Sequence, residues 1–300
     1  GFKGSVKVWT IGELLKVSAD YLKQKGIDSP RLSAEILLAS QLHLTRVQLY
    51  LRYDQPLSEK EVEGYRALIR RRLSREPVQY ITGTQEFWSM EFVVNPSVLI
   101  PRPETEVLME QAVSLREENP DLQEEGVNLL DLGTGCGALA VALACEFEKA
   151  SVYASDFSEE ALRVARQNAE RHGVRDRIDF RCGDLFAPFA GKAIRFDMIL
   201  SNPPYIPTEA FETLSPEVRD HEPRSALDGR EQGMYYIARI LKEAAGYLVP
   251  GSWILVEMDP EQTLQAFEII QETGQFTEHR RIQDYSHRYR VVMARRKSED

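Results

Sequence analysis

A mostly apolar run, Val127-Asn128-Leu129-Leu130-Asp131-Leu132, passes directly into Gly133-Thr134-Gly135-Cys136-Gly137 and then into Ala138-Leu139-Ala140-Val141-Ala142-Leu143-Ala144. The order reads as a strand, a glycine turn and a helix made of strong helix formers. Glycines permit the tight turn and let backbone approach a ligand without a Cβ in the way, as in dinucleotide-binding folds. The spacing is GxGxG, not the GxGxxG of nicotinamide enzymes, and no Lys, Tyr or His constellation for hydride transfer accompanies it. An α/β fold is therefore expected, and a nicotinamide oxidoreductase is disfavoured.

The residues that follow extend the pattern. Ala150-Ser151-Val152-Tyr153-Ala154-Ser155 alternates as a second strand. It ends at Asp156, roughly twenty residues after the glycine turn, where a carboxylate can accept hydrogen bonds from both hydroxyls of a ribose. Ser158 caps the next helix, whose apolar face runs through Leu162, Val164, Ala165 and Ala169 until Gly173 stops it. A third strand, Ile178-Asp179-Phe180-Arg181-Cys182, leads to Gly183-Asp184-Leu185-Phe186, with Asp184 in reach of an adenine amine and Leu185 able to cover the ring. A fourth, Phe196-Asp197-Met198-Ile199-Leu200-Ser201, ends at Asn202-Pro203-Pro204-Tyr205. Two prolines after a strand remove backbone donors and fix the chain, so the Asn amide and Tyr ring take set directions at the strand's carboxyl end. Open α/β sheets hold ligands there. An amide that accepts one hydrogen bond and donates others, beside a rigid carbonyl and an aromatic face, suits a planar NH2 group such as a carboxamide or an adenine amine.

This succession of elements resembles that of S-adenosylmethionine-dependent methyltransferases. More narrowly, the chain resembles the HemK/PrmC family of protein-glutamine N-methyltransferases, which modify the glutamine of the Gly-Gly-Gln loop of class I peptide-chain release factors. Besides Asp131–Gly137 and Asn202–Tyr205, the resemblance rests on Ile100-Pro101-Arg102-Pro103-Glu104-Thr105-Glu106 and on Glu222-Pro223-Arg224-Ser225-Ala226-Leu227-Asp228-Gly229, and it covers nearly the whole chain. The NPPY tetrapeptide is shared with adenine-N6 and several RNA methyltransferases; the other two segments are narrower signals. Departures from the family pattern, Glu257-Met258-Asp259, Ser286-His287 and Cys136, bear on loop shape more than on chemistry.

The resemblance implies a Rossmann-like domain with a mostly parallel seven-stranded sheet, S-adenosylmethionine as methyl donor and S-adenosylhomocysteine as product. It implies a cytoplasmic enzyme with release factors as its protein substrates. Gly133, Thr134, Gly135, Cys136, Gly137, Asp156, Asp184, Leu185 and Asn202 are expected to hold the cofactor, with Arg102 or Thr105 near its methionine end. Pro103 also suits a helix start, with Glu104 and Glu106 complementing the helix dipole. Asn202, Pro203, Pro204 and Tyr205 are expected to bind the substrate, and Asn202, Pro203 and Tyr205 to carry the chemistry. Asn202 Oδ1 and the Pro203 carbonyl would each accept one N–H of the glutamine amide, and Tyr205 would stack on or wall it. Glu222 to Gly229 reads as a loop at the substrate entrance, with Asp228 in a turn. An adenine-N6 methyltransferase acting on a flipped base is the alternative, and it predicts a basic channel that is not evident. A non-catalytic cofactor-binding regulator of translation would not need an intact NPPY.

A chain of 300 residues, 43% hydrophobic, can hold a small domain beside a Rossmann-sized one. The first part is helical: Thr10 with Glu13 and Ser58 with Glu61 form capping boxes, Ser29-Pro30 starts a second helix and Thr45 a third. Leu14, Leu15, Leu22, Ile36 and Leu37 are candidate core residues. Glu86 to Val94 carries a hairpin signal. The expected domains are a helical substrate-recognition domain over 1–79, with 1–6 an expression remnant, a hairpin linker over 80–100 and a methyltransferase domain over 101–300. Trp253–Glu257 and Arg290–Ala294 supply late strands, paired antiparallel.

No run approaches the roughly 18 apolar residues of a membrane span, and no signal segment opens the chain. Cys136, Cys145 and Cys182 read as buried, reduced thiols, and five histidines without HxH or HxxxH spacing predict no metal site. A net charge of −10 disfavours tight binding to a phosphate backbone, so no stable nucleic-acid partner and no membrane partner is expected, and the protein is expected to be a monomer. Arg70-Arg71-Arg72 and Arg75 read as a solvated helix face, with a release-factor contact as the alternative.

Overall fold

Side-chain caps start three of the five helices that open the chain. In the computed structural model, which describes residues 6–299, the predicted expression remnant lies outside the described residues but for Val6. Thr10 and Glu13 exchange hydrogen bonds at the start of α1 (Ile11–Gln24), and Pro30 opens α2 (Pro30–Leu42). Thr45 with Gln48 caps α3 (Arg46–Leu51), and Ser58 with Glu61 caps α4 (Glu59–Leu73). A fifth helix, α5 (Val78–Thr82), runs through the predicted boundary at 79/80 and ends at Gly83, whose left-handed φ of 83° suits a residue without a Cβ. These helices form one unit, ending at Gly83, to which the later short helix Pro216–His221, α9 in chain order, also belongs.

Leu15, Leu22, Leu37, Leu38 and Leu49 are fully buried in this unit. Each such side chain contributes about 1.5–3 kcal/mol by leaving water. The hydroxyl of buried Tyr65 meets Ser18 Oγ at 2.7 Å and donates to the Ala34 carbonyl at 3.3 Å, which fastens α4 to α1 and α2. Arg70 and Arg71 are exposed as expected, but Arg72 corrects the solvated-face reading. Arg72 is 5% exposed and pairs with Glu217 at 3.0 Å, because its position in the helical period faces inward.

The second unit starts at Thr84 and excludes only Pro216–His221 thereafter. It opens with a hairpin, β1 (Thr84–Phe87) and β2 (Met90–Val93), joined by Trp88 and Ser89 at φ 52° and 57°. Both central residues are left-handed, as a two-residue hairpin turn requires, although neither is Gly or Asn. The turn is held from outside: the Trp88 amide donates to Glu106 at 2.7 Å and its indole to Glu146 at 2.8 Å.

The remaining elements are α6 (Glu106–Glu118), β3 (Asn128–Leu132), α7 (Ala138–Glu146), β4 (Ser151–Asp156), α8 (Glu159–Arg171), β5 (Ile178–Cys182), β6 (Phe196–Ser201), α10 (Tyr235–Glu243), β7 (Leu248–Glu257), α11 (Thr263–Thr273), β8 (Phe276–Gln283) and β9 (Tyr289–Arg296). The seven-stranded sheet runs β5-β4-β3-β6-β7-β9-β8, with β9 antiparallel to β7 and β8 antiparallel to β9 and the other pairs parallel. The chain leaves β3 toward β4 and β5, then returns to β6 on the other side of β3. This reversal opens a crevice at the strands' carboxyl ends. The antiparallel pairing of β7 and β9 is as expected; β8 was not read from the sequence.

Two of the three cysteines depart from expectation. Cys136 is buried, but Cys145 and Cys182 are exposed, because each falls at the end of its element: Cys145 near the last turn of α7 and Cys182 as the last residue of edge strand β5.

Asn168, on α8 and fully buried, joins the hairpin to the glycine turn. Its Oδ1 accepts from the Val93 amide at 2.8 Å, while Nδ2 donates to the carbonyls of Val93 at 2.9 Å and Cys136 at 2.8 Å. Asn168→Leu keeps the branched heavy-atom skeleton and strands all three backbone groups. At about 1–3 kcal/mol for each unsatisfied buried group, the variant is expected to lose at least roughly 2 kcal/mol in urea unfolding. A loss under about 0.5 kcal/mol, the range of ordinary surface changes, would contradict this role.

Candidate active site

The carboxyl ends of β3, β4, β5 and β6 surround a cavity of about 1040 Å³, counted with its open mouth. Gly133, Thr134, Gly135 and Cys136 line it from the turn after β3, Asp156 from the end of β4, and Asp184 and Leu185 from the turn after β5. Asn202, Pro203 and Pro204 line it from the turn after β6, and Thr105 from the segment leading into α6. Residues not singled out in the sequence complete the wall, among them Phe87 of the hairpin, Leu99, Phe157 and Tyr236. Periodicity marks such residues as apolar without saying which cavity they face.

Within the glycine turn, positions differ in purpose. Gly133 and Gly135 sit at φ 73° and 56°, and a Cβ on either would meet nothing within 4 Å. Bare backbone therefore faces open space at this wall of the cavity. Gly137 does not line the cavity; a Cβ there would meet Ala165 at 3.0 Å, so its role is the close packing of α7 on α8. Asp156 Oδ2 accepts from the Gly135 amide at 2.9 Å and Oδ1 from the Ser158 amide at 3.0 Å. Burial raises its pKa while these amides pull it down. Each oxygen keeps a lone pair for a further donor. Thr134 lines the cavity, but its hydroxyl oxygen is buried beside Asp131 and makes no hydrogen bond of normal geometry.

Asp184 lines the cavity, but its carboxylate pairs with Arg239 at 2.8 Å. Arg102 is not in the cavity wall: it donates to the Ile100 carbonyl at 2.9 Å and to the buried Glu222 carboxylate. Glu222 also accepts from the Ile100 amide at 3.0 Å, so the segments around Arg102 and Glu222 fasten each other. Ser225 and Ala226 of the second segment reach the cavity. Asp228 accepts from the Thr208 hydroxyl at 2.6 Å and the Arg230 amide at 2.9 Å, as a turn residue does.

Tyr205 corrects the expectation of an aromatic wall. It is not among the cavity's lining residues. Its ring packs on the core beneath the sheet edge, and its hydroxyl donates to Glu257 at 2.8 Å. The Gln262 side chain donates to the Tyr205 carbonyl at 2.9 Å, and a Cβ on Gly233 would collide with that carbonyl at 2.1 Å. Beside it, Asn202 Nδ2 donates to Thr105 Oγ1 at 3.4 Å, leaving Oδ1 as an acceptor. Among the described residues, no group of three or more His, Cys, Asp or Glu side chains is placed to hold a metal ion, and no helix is long and apolar enough to cross a membrane.

Asp131, fully buried as the penultimate residue of β3, has no hydrogen-bond partner of normal geometry on either oxygen. Burial pushes its pKa up to about 7, the Asp156 charge adds to the rise, and the neighbouring Thr134 hydroxyl opposes it. The folded state thus holds a proton that the unfolded chain releases, so stability present at low pH is lost as pH rises from about 4 to about 7. Asp131→Asn removes this titration. In urea unfolding the wild type is expected to weaken relative to the variant across that window; a constant difference would contradict the assignment.

Residues 13–83 match the family described as the PrmC N-terminal domain, and residues 112–215 match the methyltransferase small domain. The release factor glutamine methyltransferase of Geobacter sulfurreducens is 44% identical over 268 residues, 89% of this chain and 90% of that protein. That of Chlorobaculum tepidum is 40% identical over 282 residues, 93% of this chain and 95% of that one. Among solved structures, the hMettl16 catalytic domain in complex with MAT2A 3'UTR hairpin 6 superposes with a TM-score of 0.56 at 13% identity, covering 76% of this chain and 82% of that one, a likeness of fold. By its sequence along nearly its whole length, and with a fold to match, the chain belongs to the release factor glutamine methyltransferase family.

Proposed function

We propose that this protein transfers the methyl group of S-adenosylmethionine to the side-chain amide nitrogen of the glutamine in the Gly-Gly-Gln motif of class I release factors. One observation carries the reading: bare glycine backbone, the Asp156 carboxylate and the Asn202-Pro203-Pro204 turn all line a single cavity. The open space before Gly133 and Gly135 fits a ligand against the turn. Asp156 would take the ribose hydroxyls on its free lone pairs, with Cys136 and Leu185 beside the cofactor and Asp184 at the adenine end. Gly137 and Arg102 support these contacts from behind.

When bound, S-adenosylmethionine supplies a methyl group on a positively charged sulfur. An amide nitrogen is a poor nucleophile, because its lone pair is delocalised into the carbonyl. Asn202 Oδ1 and the Pro203 carbonyl would each accept one of its N–H groups, which aims the nitrogen and stabilises the positive charge that grows on it. No base need act before attack, since the proton becomes acidic only as the new bond forms. Tyr205 holds the turn from below instead of walling the substrate.

The helical first unit would recognise the protein substrate in the cytoplasm, where translation ends. The protein would act as a monomer. The acidic total favours a protein substrate over nucleic acid.

The test is mass spectrometry of an unmethylated release factor incubated with the protein and S-adenosylmethionine, with a Gln→Ala factor as control. One methyl group on the Gly-Gly-Gln glutamine, absent from the control, is expected; no transfer to a folded factor by cofactor-loaded protein would reject this substrate. A hydrogen bond to a group gaining charge contributes about 1.5–3 kcal/mol. Asn202→Ala should accordingly lower turnover at least roughly tenfold, and near-normal turnover would refute the role given to Oδ1.

A further inference from the structure

Glu257 ends β7, whose Val256 pairs with Ser201 of β6, so its carboxylate stands beside Asn202 at the same sheet edge. It is 1% exposed. Oε2 accepts the Tyr205 hydroxyl at 2.8 Å, while Oε1 is a buried acceptor without a hydrogen-bond partner of normal geometry, and the nearby Thr105 hydroxyl pulls the pKa of this acid down. Thr105 in turn accepts from Asn202 Nδ2 at 3.4 Å. Asn202-Pro203-Pro204-Tyr205 is thus bonded to Glu257 at its tyrosine end and, at its asparagine end, to Thr105, a neighbour of the same acid. The positive charge of Arg290, itself 3.3 Å from both Asp259 and Asp284, faces this carboxylate from the start of β9.

We propose that Glu257 is the positioning residue of this site, setting the direction of hydrogen bonding that leaves Asn202 Oδ1 free to receive the substrate N–H. The argument rests on the function proposed above and on what a carboxylate can do. With Glu257 ionised, as the charge of Arg290 favours against the cost of burial, its unpartnered oxygen only accepts, so the Thr105 hydroxyl turns its O–H toward Glu257 and offers a lone pair to Asn202. Asn202 then meets Thr105 with its NH2 group, and its oxygen is the atom left over. With the amide turned the other way, a donor would confront the donor hydrogens of the substrate. The same carboxylate holds Tyr205, and with it the far end of the turn whose Pro203 carbonyl is the second acceptor.

Glu257→Gln tests this with almost no change of volume. A carboxamide presents one acceptor and one donor, so one of the two hydroxyls loses its acceptor and the relay loses its direction. In the methylation assay, Glu257→Gln is expected to lower kcat at least about tenfold, with KM for the release factor and the affinity for S-adenosylhomocysteine by calorimetry within roughly twofold. Thr105→Val should act in the same way, and the double variant should be no slower than the slower single, because both cut one relay. Turnover of Glu257→Gln within about twofold of wild type, or a double variant whose loss is the product of the two single losses, would overturn the proposal. Should Glu257→Gln fail to fold, Thr105→Val alone decides: a kcat loss with unchanged cofactor affinity supports the relay, and full turnover overturns it. Wild-type protein that methylates no release factor would instead reject the function itself.

Discussion

Five strands running parallel put their carboxyl ends on one edge, and that ladder places the glycine turn, Asp156, Asn202 and Glu257 together. Leu132 pairs with both Ser155 and Ser201, so the residues after β3, β4 and β6 emerge at one level. Asp156 next pairs with Cys182, which brings the turn after β5 to the same edge. A slip of one residue in any of these strands would turn a site residue into the core or onto the opposite face. The apolar packing is what prevents the slip: Leu129, Leu130 and Leu132 are fully buried, so both faces of β3 are packed.

On this edge, polar groups work at low dielectric. Asp131, Asp156 and Glu257 all carry pKa values raised by burial, and all lie at or near the ends of strands around the crevice. A protein that only needed stability would do better with apolar residues at such positions. Their presence makes sense where a positively charged ligand is to be held and where hydrogen bonds must run in one direction. Hydrogen bonds here are strengthened by the same exclusion of water that makes an unpaired group costly.

Much of this was legible because it is local. The glycine turn, the strand ends at Asp156 and Asn202, and the Thr10, Thr45 and Ser58 caps depend on residues a few positions apart. What was missed depends on distant partners. Glu257 reads as the end of an apolar strand, and nothing nearby reveals that its carboxylate meets a tyrosine 52 residues earlier. Tyr205 was placed against the substrate for the same reason. Asn168 reads as an ordinary helix residue, yet its partners are 75 and 32 residues away. β8 escaped because an edge strand such as Phe276-Thr277-Glu278-His279-Arg280-Arg281-Ile282-Gln283 is mostly polar, which guards an open edge and erases the apolar signal. Arg72 sits in a run of three arginines, where composition speaks for solvent and only the helical period separates the inward one.

The central claim is that two acceptors, fixed by the sheet edge and by Glu257, aim a neutral amide without a base. A crystal structure of the protein with S-adenosylhomocysteine and a Gly-Gly-Gln release-factor domain tests it most directly. The expected result has the glutamine side-chain nitrogen within hydrogen-bonding distance of both Asn202 Oδ1 and the Pro203 carbonyl, with the Tyr205 hydroxyl still on Glu257. A glutamine nitrogen bound instead to an ionisable side chain, or an Asn202 amide presenting its NH2 group to the substrate, would contradict the account.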